Sequence, residues 1–165
     1  MVYACEGTKK KRAHQTMSPI FAYLTDLTTP SSVNIHQTSD VTYPSRRHLY
    51  GHALEHFVVQ ELRAFVSYTF GEDKIMSYWR TLDNKYEVDV MICDALTHHV
   101  EVAIEVKSAD YVVSNDTKSL KVFSEEHPDA KLILLSMEER PRILNGIEVW
   151  QVTQFLQGLW NRKWL

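Results

Sequence analysis

The chain has 165 residues, of which 44% are apolar and 24% charged, and it contains only two cysteines. These values exclude a disordered chain and a disulfide framework, and a chain of this length usually forms one domain. No apolar run approaches the roughly 20 residues of a membrane helix, and the first residues lack the pattern of a secretory signal. The formal net charge of −3 argues against a protein that mainly coats nucleic acid, because such proteins neutralise phosphates with Lys and Arg. We expect a cytoplasmic protein with no membrane partner.

The composition divides the chain into a polar amino-terminal part and a folded domain. Residues 1–46 are predicted to comprise a tail with a basic run, a short helix over Ile20–Leu27 and a loop over Thr28–Arg47 that is rich in Thr, Ser, Pro and Asn. Residues 47–165 are predicted to form one domain, since apolar residues recur there at regular spacings.

The periodicity of apolar residues predicts a helix, three strands, a helix, two strands and a closing helix. The helices are predicted over Leu49–Tyr68, with an apolar stripe of Leu54, Phe57, Val58, Leu62, Phe65 and Val66, over Ser114–His127, and from a cap at Thr153 to about Trp160, with Phe155, Leu156, Leu159 and Trp160 inward; the strands are predicted over Ile75–Leu82, Tyr86–Cys93, Val100–Lys107, Lys131–Ser136 and Ile147–Val152. Three consecutive strands followed by a helix that crosses to another strand predict an α/β fold with a mixed sheet of about five strands flanked by helices.

Two neighbouring strands carry the charged residues that bear on function. In Tyr86–Cys93 and Val100–Lys107, apolar residues alternate with others, which predicts a hairpin whose strands each have one apolar face. Asp89 lies on the polar face of the first strand, and Glu105 and Lys107 lie on that of the second. A solvated sheet face is the plain alternative, but Glu105 and Lys107 lie in the densest apolar stretch of the chain.

This pattern is suited to metal-assisted hydrolysis of phosphodiesters. Mg²⁺ and similar hard cations take oxygen ligands, typically one or two carboxylates with waters and substrate phosphate. Asp89 and Glu105 supply carboxylates, and the backbone carbonyl of Val106 adds another oxygen. The metal would polarise the phosphate and generate hydroxide, while Lys107 would orient the water or offset charge that develops on the phosphate.

At these residues the chain resembles the PD-(D/E)XK nuclease superfamily. In that signature an acid on one strand is followed by an acid-x-lysine element on the neighbouring strand, here Asp89 and Glu105-Val106-Lys107. The first element reads Val88-Asp89 in place of Pro-Asp. The resemblance implies a restriction-endonuclease-like core.

A closer resemblance covers most of residues 49–160. The segments GHALEHFVVQEL, YEVDVMI, AIEVKSAD and SLKVF look like the nuclease-like domain at the carboxy end of a large group of prokaryotic AAA-type ATPases. This resemblance implies that Glu55 joins the metal site and that Lys118 and Lys121 occupy positions where a basic residue assists nucleic-acid binding. The chain has no GxxxxGK[ST] loop, so we expect no nucleotide triphosphate binding.

We therefore expect a Mg²⁺- or Mn²⁺-dependent nuclease that acts on nucleic acid, with DNA as the first candidate substrate. Its metal ligands would be Glu55, Asp89, Glu105 and the Val106 carbonyl, and its catalytic lysine Lys107. Many folds of this kind form homodimers to cut two strands, and the sequence leaves this open. The alternative is a catalytically inert nuclease-fold module that binds nucleic acid or a protein partner.

A competing motif lies on the first predicted helix. His52-Ala53-Leu54-Glu55-His56 matches H-x-x-E-H, the inverted zinc-protease signature. Two histidines four residues apart share one helical face, with Glu55 beside them. The third ligand would have to be a distant acid such as Glu125 or Glu126. The strand pair supports the nuclease-like interpretation independently, and nothing downstream supports the protease.

Overall fold

A computed structural model describes the backbone of residues 44–161, with side chains from residue 50 onward. The predictions for the tail and for the helix at Ile20–Leu27 lie outside the described residues. The helices are α1 (Pro44–Phe70), a 3-10 turn (Ser114–Thr117) that leads into α2 (Lys118–Ser124), and α3 (Val152–Trp160); the strands are β1 (Lys74–Arg80), β2 (Glu87–Asp94), β3 (Val100–Val106), β4 (Lys131–Ser136), β5 (Arg142–Leu144) and β6 (Ile147–Gln151).

The strands form one mixed sheet in the order β1-β2-β3-β4-β6-β5. β1, β2 and β3 pair antiparallel, β3, β4 and β6 pair parallel, and β5 pairs antiparallel with β6 at the edge. The parallel pairing of β3 with β4 requires a crossover connection, which the 3-10 turn and α2 provide. The predicted α/β fold with a mixed sheet is confirmed, with six strands rather than about five.

Both faces of the sheet are covered by helices. On one face, α1 and α3 bury residues such as Leu62 and Phe155 against Val90, Ile104 and other inward side chains. On the other face, α2 buries Leu120 and Phe123. The prediction that each hairpin strand has one apolar and one polar face is therefore wrong, because the face expected to be polar packs in its middle part against α2. Among the described helices, none is both long and apolar enough to cross a membrane.

The observed boundaries correct several predictions. α1 begins at Pro44, so the last residues of the loop predicted over Thr28–Arg47 are helical, and the helix crosses the domain boundary expected at residue 46. Pro is well tolerated in a first helical turn, where its missing N–H removes no hydrogen bond. Gly71 ends α1, and its φ of +60° is readily adopted only by glycine. α3 begins at Val152 after Gln151, so Thr153 is not its cap.

Two aromatic side chains predicted to face the core are largely exposed. Phe57 is 48% exposed and Trp160 is 47% exposed. Trp160 lies at the end of α3, where its ring packs edge-on against Phe65 at 5.5 Å and its indole N–H donates to Glu61 at 3.1 Å. It therefore covers the edge of the core while one side stays open to solvent.

A β-bulge in β2 displaces the alternation that the sequence predicts. Ser77 pairs with Met91 and Trp79 with Val88, so Asp89 and Val90 together lie opposite one residue, Tyr78. Val88 consequently packs in the core on the α2 side, whereas Val90 packs in the core on the α1 side. In a regular strand residues two apart share a face. Bulges of this kind redirect side chains, and this one lies at Asp89.

Candidate active site at the carboxyl end of β3

The candidate site lies where β2 and β3 separate. Asp89 and Glu105 lie on adjacent antiparallel strands, as predicted, just beyond the last paired residues, Val90 and Ile104. From there β3 continues beside β4, and an oxygen of the Asp89 carboxylate accepts the backbone N–H of Val106 at 2.7 Å. The Asp89 carboxylate thus accepts the hydrogen bond that a backbone carbonyl of β2 would accept if the two strands were still paired here.

Glu105 and Lys107 form an ion pair in the same place. The Nζ of Lys107 lies 2.7 Å from Oε1 of Glu105. The Glu105 side chain is only 2% exposed, whereas that of Lys107 is 39% exposed. The ammonium group therefore links a buried carboxylate to the solvent. The backbone N–H of Lys107 donates to the carbonyl of Leu135 at 2.8 Å, which fixes the end of β3 against β4.

The pKa of each strand carboxylate is raised to about 7, and burial is the largest cause. For Asp89 the nearby charge of Glu55 also raises the pKa, while the Val106 N–H and the charge of Lys107 lower it. For Glu105 burial again dominates; Lys107 lowers the pKa through its charge and its hydrogen bond, and Asp89 raises it. One lysine therefore only partly offsets the charge of these buried acids.

Glu55 reaches the same electrostatic environment from α1. Burial raises its pKa, as does the charge of Glu87, while Lys107 and Arg80 lower it. Its carboxylate also lies 3.8 Å from Nδ1 of His52. The helix therefore brings Glu55 within electrostatic range of Asp89 and Lys107.

The pKa of Lys107 depends on the same burial and the same acids. Burial lowers this pKa, but the ion pair with Glu105 and the charges of Asp89 and Glu87 outweigh that effect, so the net pKa is raised. Lys107 therefore remains protonated at neutral pH. In this state it is a hydrogen-bond donor and cannot coordinate a metal.

Two further charged residues, Glu87 and Arg80, act at this site and were not predicted from the sequence. Glu87 raises the pKa of Glu55, Asp89, Glu105 and Lys107. Arg80, at the end of β1, pairs with Glu87 at 2.7 Å. Because Glu87 precedes Asp89 by two residues, it was an available candidate, but a carboxylate at the start of a strand resembles an ordinary surface acid.

The remaining predicted positions lie away from this cluster. Lys118 and Lys121 are exposed on α2, and neither is among the charges that shift the pKa of the site carboxylates. In the H-x-x-E-H segment, Glu55 contacts His52, but Glu126, considered as a third zinc ligand, follows α2 on the opposite face of the sheet. There it accepts the indole N–H of Trp79 at 3.1 Å.

The site has enough oxygen atoms to provide the protein ligands of a hard divalent cation, but these oxygens do not form a complete coordination shell. Among the described residues, no three His, Cys, Asp or Glu side chains are grouped closely enough to hold a metal ion. Oε2 of Glu105 is buried, however, and has no hydrogen-bond partner among these residues. A buried carboxylate oxygen without a donor is costly. Asp89 and Glu105, with the Val106 carbonyl and waters, would supply the one or two carboxylates that Mg²⁺ typically takes from a protein.

The fold and this cluster define an α/β domain with an acid-and-lysine site at the end of paired central strands. Residues 50–155 match the family model DUF4143, a domain of unknown function. The chain therefore belongs to the DUF4143 family. No curated protein and no solved structure matches the chain at the threshold of the comparison.

Proposed function

We propose that this protein is a Mg²⁺- or Mn²⁺-dependent nuclease. The observation that carries the proposal is the Glu105 carboxylate. It is buried, one of its oxygens is bonded to Lys107, and its other oxygen has no partner among the described residues. A cation between Glu105 and Asp89 would satisfy that oxygen and stabilise the ionised form of both acids, whose pKa of about 7 reflects their burial.

The residues of the site divide into two chemical roles. Asp89, Glu105 and the Val106 carbonyl would hold the cation, which supplies Lewis-acid activation of the phosphate and a more acidic water. Glu55, on α1, would bind the cation through a water molecule or after a change of rotamer. Lys107 would donate a hydrogen bond to the attacking water or to a non-bridging phosphate oxygen, where negative charge increases in the transition state.

The restriction-endonuclease-like core and membership of the PD-(D/E)XK superfamily are part of this proposal. Three features support them: the acid and the acid-x-lysine element lie on adjacent antiparallel strands, the strands separate at these residues, and an acid on the preceding helix acts on them electrostatically. The proposed substrate is nucleic acid, with DNA as the first candidate. We expect the protein to be cytoplasmic.

The test compares wild type with Lys107→Ala on labelled single-stranded DNA, duplex DNA, branched DNA and RNA, with Mn²⁺ and with EDTA. We expect wild type to cleave at least one substrate only with the metal, and Lys107→Ala to be slower by about 10²–10³-fold, the usual effect of losing one positioned donor. Since a protonated lysine does not bind the cation, the variant should keep its metal-induced rise in Tm. Equal cleavage by both proteins would place the activity elsewhere or in a contaminant.

Binding without cleavage is the alternative outcome. If wild type binds nucleic acid or a protein partner but cleaves nothing with any metal, the inert nuclease-fold module replaces the enzyme. The imperfect carboxylate grouping is the observation that favours this second candidate.

A further inference from the structure

Two exposed tyrosines flank the candidate site along the chain. Tyr50 lies on α1 one and a half turns before Glu55, and Tyr111 lies four residues after Lys107. They are 52% and 67% exposed, respectively. Large aromatic side chains at the surface are informative when they lie beside a candidate active site, because aromatic rings are common binding groups for flat ligands.

The same stretch at the end of β4 positions both tyrosines. The Tyr50 hydroxyl contacts the sulfur of Met137 at 3.9 Å. The backbone N–H of Met137 donates to the Ala109 carbonyl at 3.0 Å, and Glu138 accepts the N–H of Val112 at 3.2 Å. The segment that contains Tyr111 therefore lies against the residues that Tyr50 contacts.

A second close approach brings α1 to Ser108, the residue that follows Lys107. A Cβ atom built on Gly51 would lie 3.3 Å from the hydroxyl oxygen of Ser108. Glycine at this position lets the helix approach the Ser108 side chain. The helical turn with Tyr50 thus borders the chain between Lys107 and Tyr111.

Arg142 packs over the ring of Tyr111. Its guanidinium carbon lies 4.9 Å from the centroid of that ring, a cation–π arrangement. The guanidinium is itself fixed, because Nε donates to Glu138 at 2.6 Å and Nη2 donates to the Val112 carbonyl at 2.6 Å. The exposed ring therefore rests on a rigid support, which lowers the entropy lost when a ligand stacks on it.

We propose that Tyr50 and Tyr111 form a stacking platform for unpaired bases, so that the substrate is single-stranded nucleic acid or a single-stranded end. The proposal rests on the nuclease function. Bases stack on aromatic side chains irrespective of sequence, but only when they are unpaired. Four residues span at most about 14 Å, which is the length of a few nucleotides. A strand with a phosphate at Lys107 can therefore place a nearby base on Tyr111.

The experiment measures binding by fluorescence anisotropy with the full chain carrying Lys107→Ala, so that Mn²⁺ can be present without appreciable cleavage. The probes are a labelled 20-nucleotide single strand and the corresponding duplex. Added to this background, Tyr111→Ala should weaken single-strand binding by about fivefold or more, since the loss of one stacked base costs at least about that much. Duplex binding should change by less than about twofold. Tyr111→Phe keeps the ring and should bind like the parent protein, and Tyr50→Ala should weaken single-strand binding in the same direction.

Tyr68 provides the matched control. It is a tyrosine on the same helix and is 84% exposed, but it lies 13 residues beyond Glu55, about 20 Å along the axis. Tyr68→Ala should leave binding of both probes unchanged. An equal loss of binding for Tyr68→Ala and Tyr111→Ala would overturn the platform.

Failure of the platform can be distinguished from failure of the nuclease function. If wild type cleaves with Mn²⁺ and Tyr111→Ala binds single strands normally, the nuclease function stands and the platform is wrong. If wild type neither binds nor cleaves any nucleic acid, both are wrong. A change of oligomeric state in Tyr111→Ala, with nucleic-acid binding unaltered, would assign the ring to a protein interface and overturn the platform.

Discussion

The two ends of the β1-β2-β3 unit carry the same residue types in different environments. At one end Lys107 lies beside Asp89 and Glu105; at the other Lys74 lies beside Asp94 and Glu101. Each end has one lysine and two acids on neighbouring strands. Asp94 is half-buried and accepts hydrogen bonds from Thr97 and Leu96, which hold its pKa near 2. Asp89 and Glu105 are desolvated, and their pKa lies near 7.

The difference shows which physical property distinguishes a candidate site from a structural ion pair. The cluster at Lys74 is satisfied: it combines an ion pair with Glu101, a 3.5 Å contact with Asp94 and a capped turn after β2. The cluster at Lys107 carries a buried excess of negative charge and an oxygen of Glu105 without a donor among the described residues. Residue type and spacing are therefore insufficient, and burial with incomplete compensation marks the functional candidate.

The largest expected difference between the ends is in catalysis. Glu105→Gln removes the negative charge that would hold the metal, and cleavage should fall by about 10²-fold or more. Glu101→Gln, on the same strand, should change the rate by less than about twofold, because its partner Lys74 does not contact the candidate site. The measurement is the initial rate of cleavage with Mn²⁺ on the best substrate. Comparable losses in both variants would remove the distinction between the two ends.

Metal-induced stabilisation should separate Asp89 from Asp94. A cation that binds only the folded state stabilises it by about 2.7 kcal/mol at a concentration 100 times its Kd. Asp89→Asn should remove most of the rise in Tm that Mn²⁺ produces, whereas Asp94→Asn should retain it. The measurement is thermal denaturation with Mn²⁺ and with EDTA. Stoichiometric zinc that is lost in His52→Ala would instead support the H-x-x-E-H motif.

The pH dependence of stability should also come from the Lys107 end. Burial raises the pKa of Asp89 and Glu105 from 3.8 and 4.5 to about 7, so the folded state binds more protons than the unfolded state between these values. Stability without metal should therefore be greatest below pH 4 with respect to these groups and should fall as the pH rises to about 7. Denaturant unfolding at pH 5 and pH 8 in EDTA measures this loss.

Glu105→Gln sharpens the same measurement. It cannot ionise, so the loss of stability between pH 5 and pH 8 should be reduced. Glu101→Gln should leave the loss unchanged. A wild-type protein that is more stable at pH 8 than at pH 5 without metal would contradict the inferred ionisation of the site.

The smallest expected effect is on the stability provided by the Lys74 cluster. Lys74 pairs with Glu101 and Asp94 near the surface, and such pairs contribute about 0–1 kcal/mol because water and salt screen them. Lys74→Ala should lower the free energy of unfolding by about that amount and leave cleavage unchanged. Urea denaturation and the cleavage assay together check this. A loss of several kcal/mol would show that this cluster, too, is a buried pair.

Much of the fold followed from local patterns. The strand Lys131–Ser136 coincides with its prediction, and the hairpin strands agree within one residue at each end. Short runs of branched apolar residues, whether continuous or alternating, favour strands. β5 was missed because three residues, Arg142–Leu144, carry no period of their own; they form a strand by pairing with β6.

The site could be predicted only in part. The acid-x-lysine element identified Glu105 and Lys107, and the resemblance identified Glu55. The bulge at Asp89 depends on how β2 pairs with β1, and the burial of Glu105 depends on the packing of the assembled sheet. Those are properties of the assembled sheet, so no local pattern in the sequence reports them. Glu87 was missed because a carboxylate at the start of a strand resembles an ordinary surface acid.

Anomalous diffraction from a crystal of the wild-type protein soaked in Mn²⁺ would test the central claim most directly. We expect one Mn²⁺ ion bound by carboxylate oxygens of Asp89 and Glu105 at the carboxyl end of β3, with Oε2 of Glu105 among its ligands and Lys107 close by but not coordinated. The claim would be contradicted if Mn²⁺ bound at Asp94 and Glu101, beside Lys74, while no ion was present at Asp89 and Glu105.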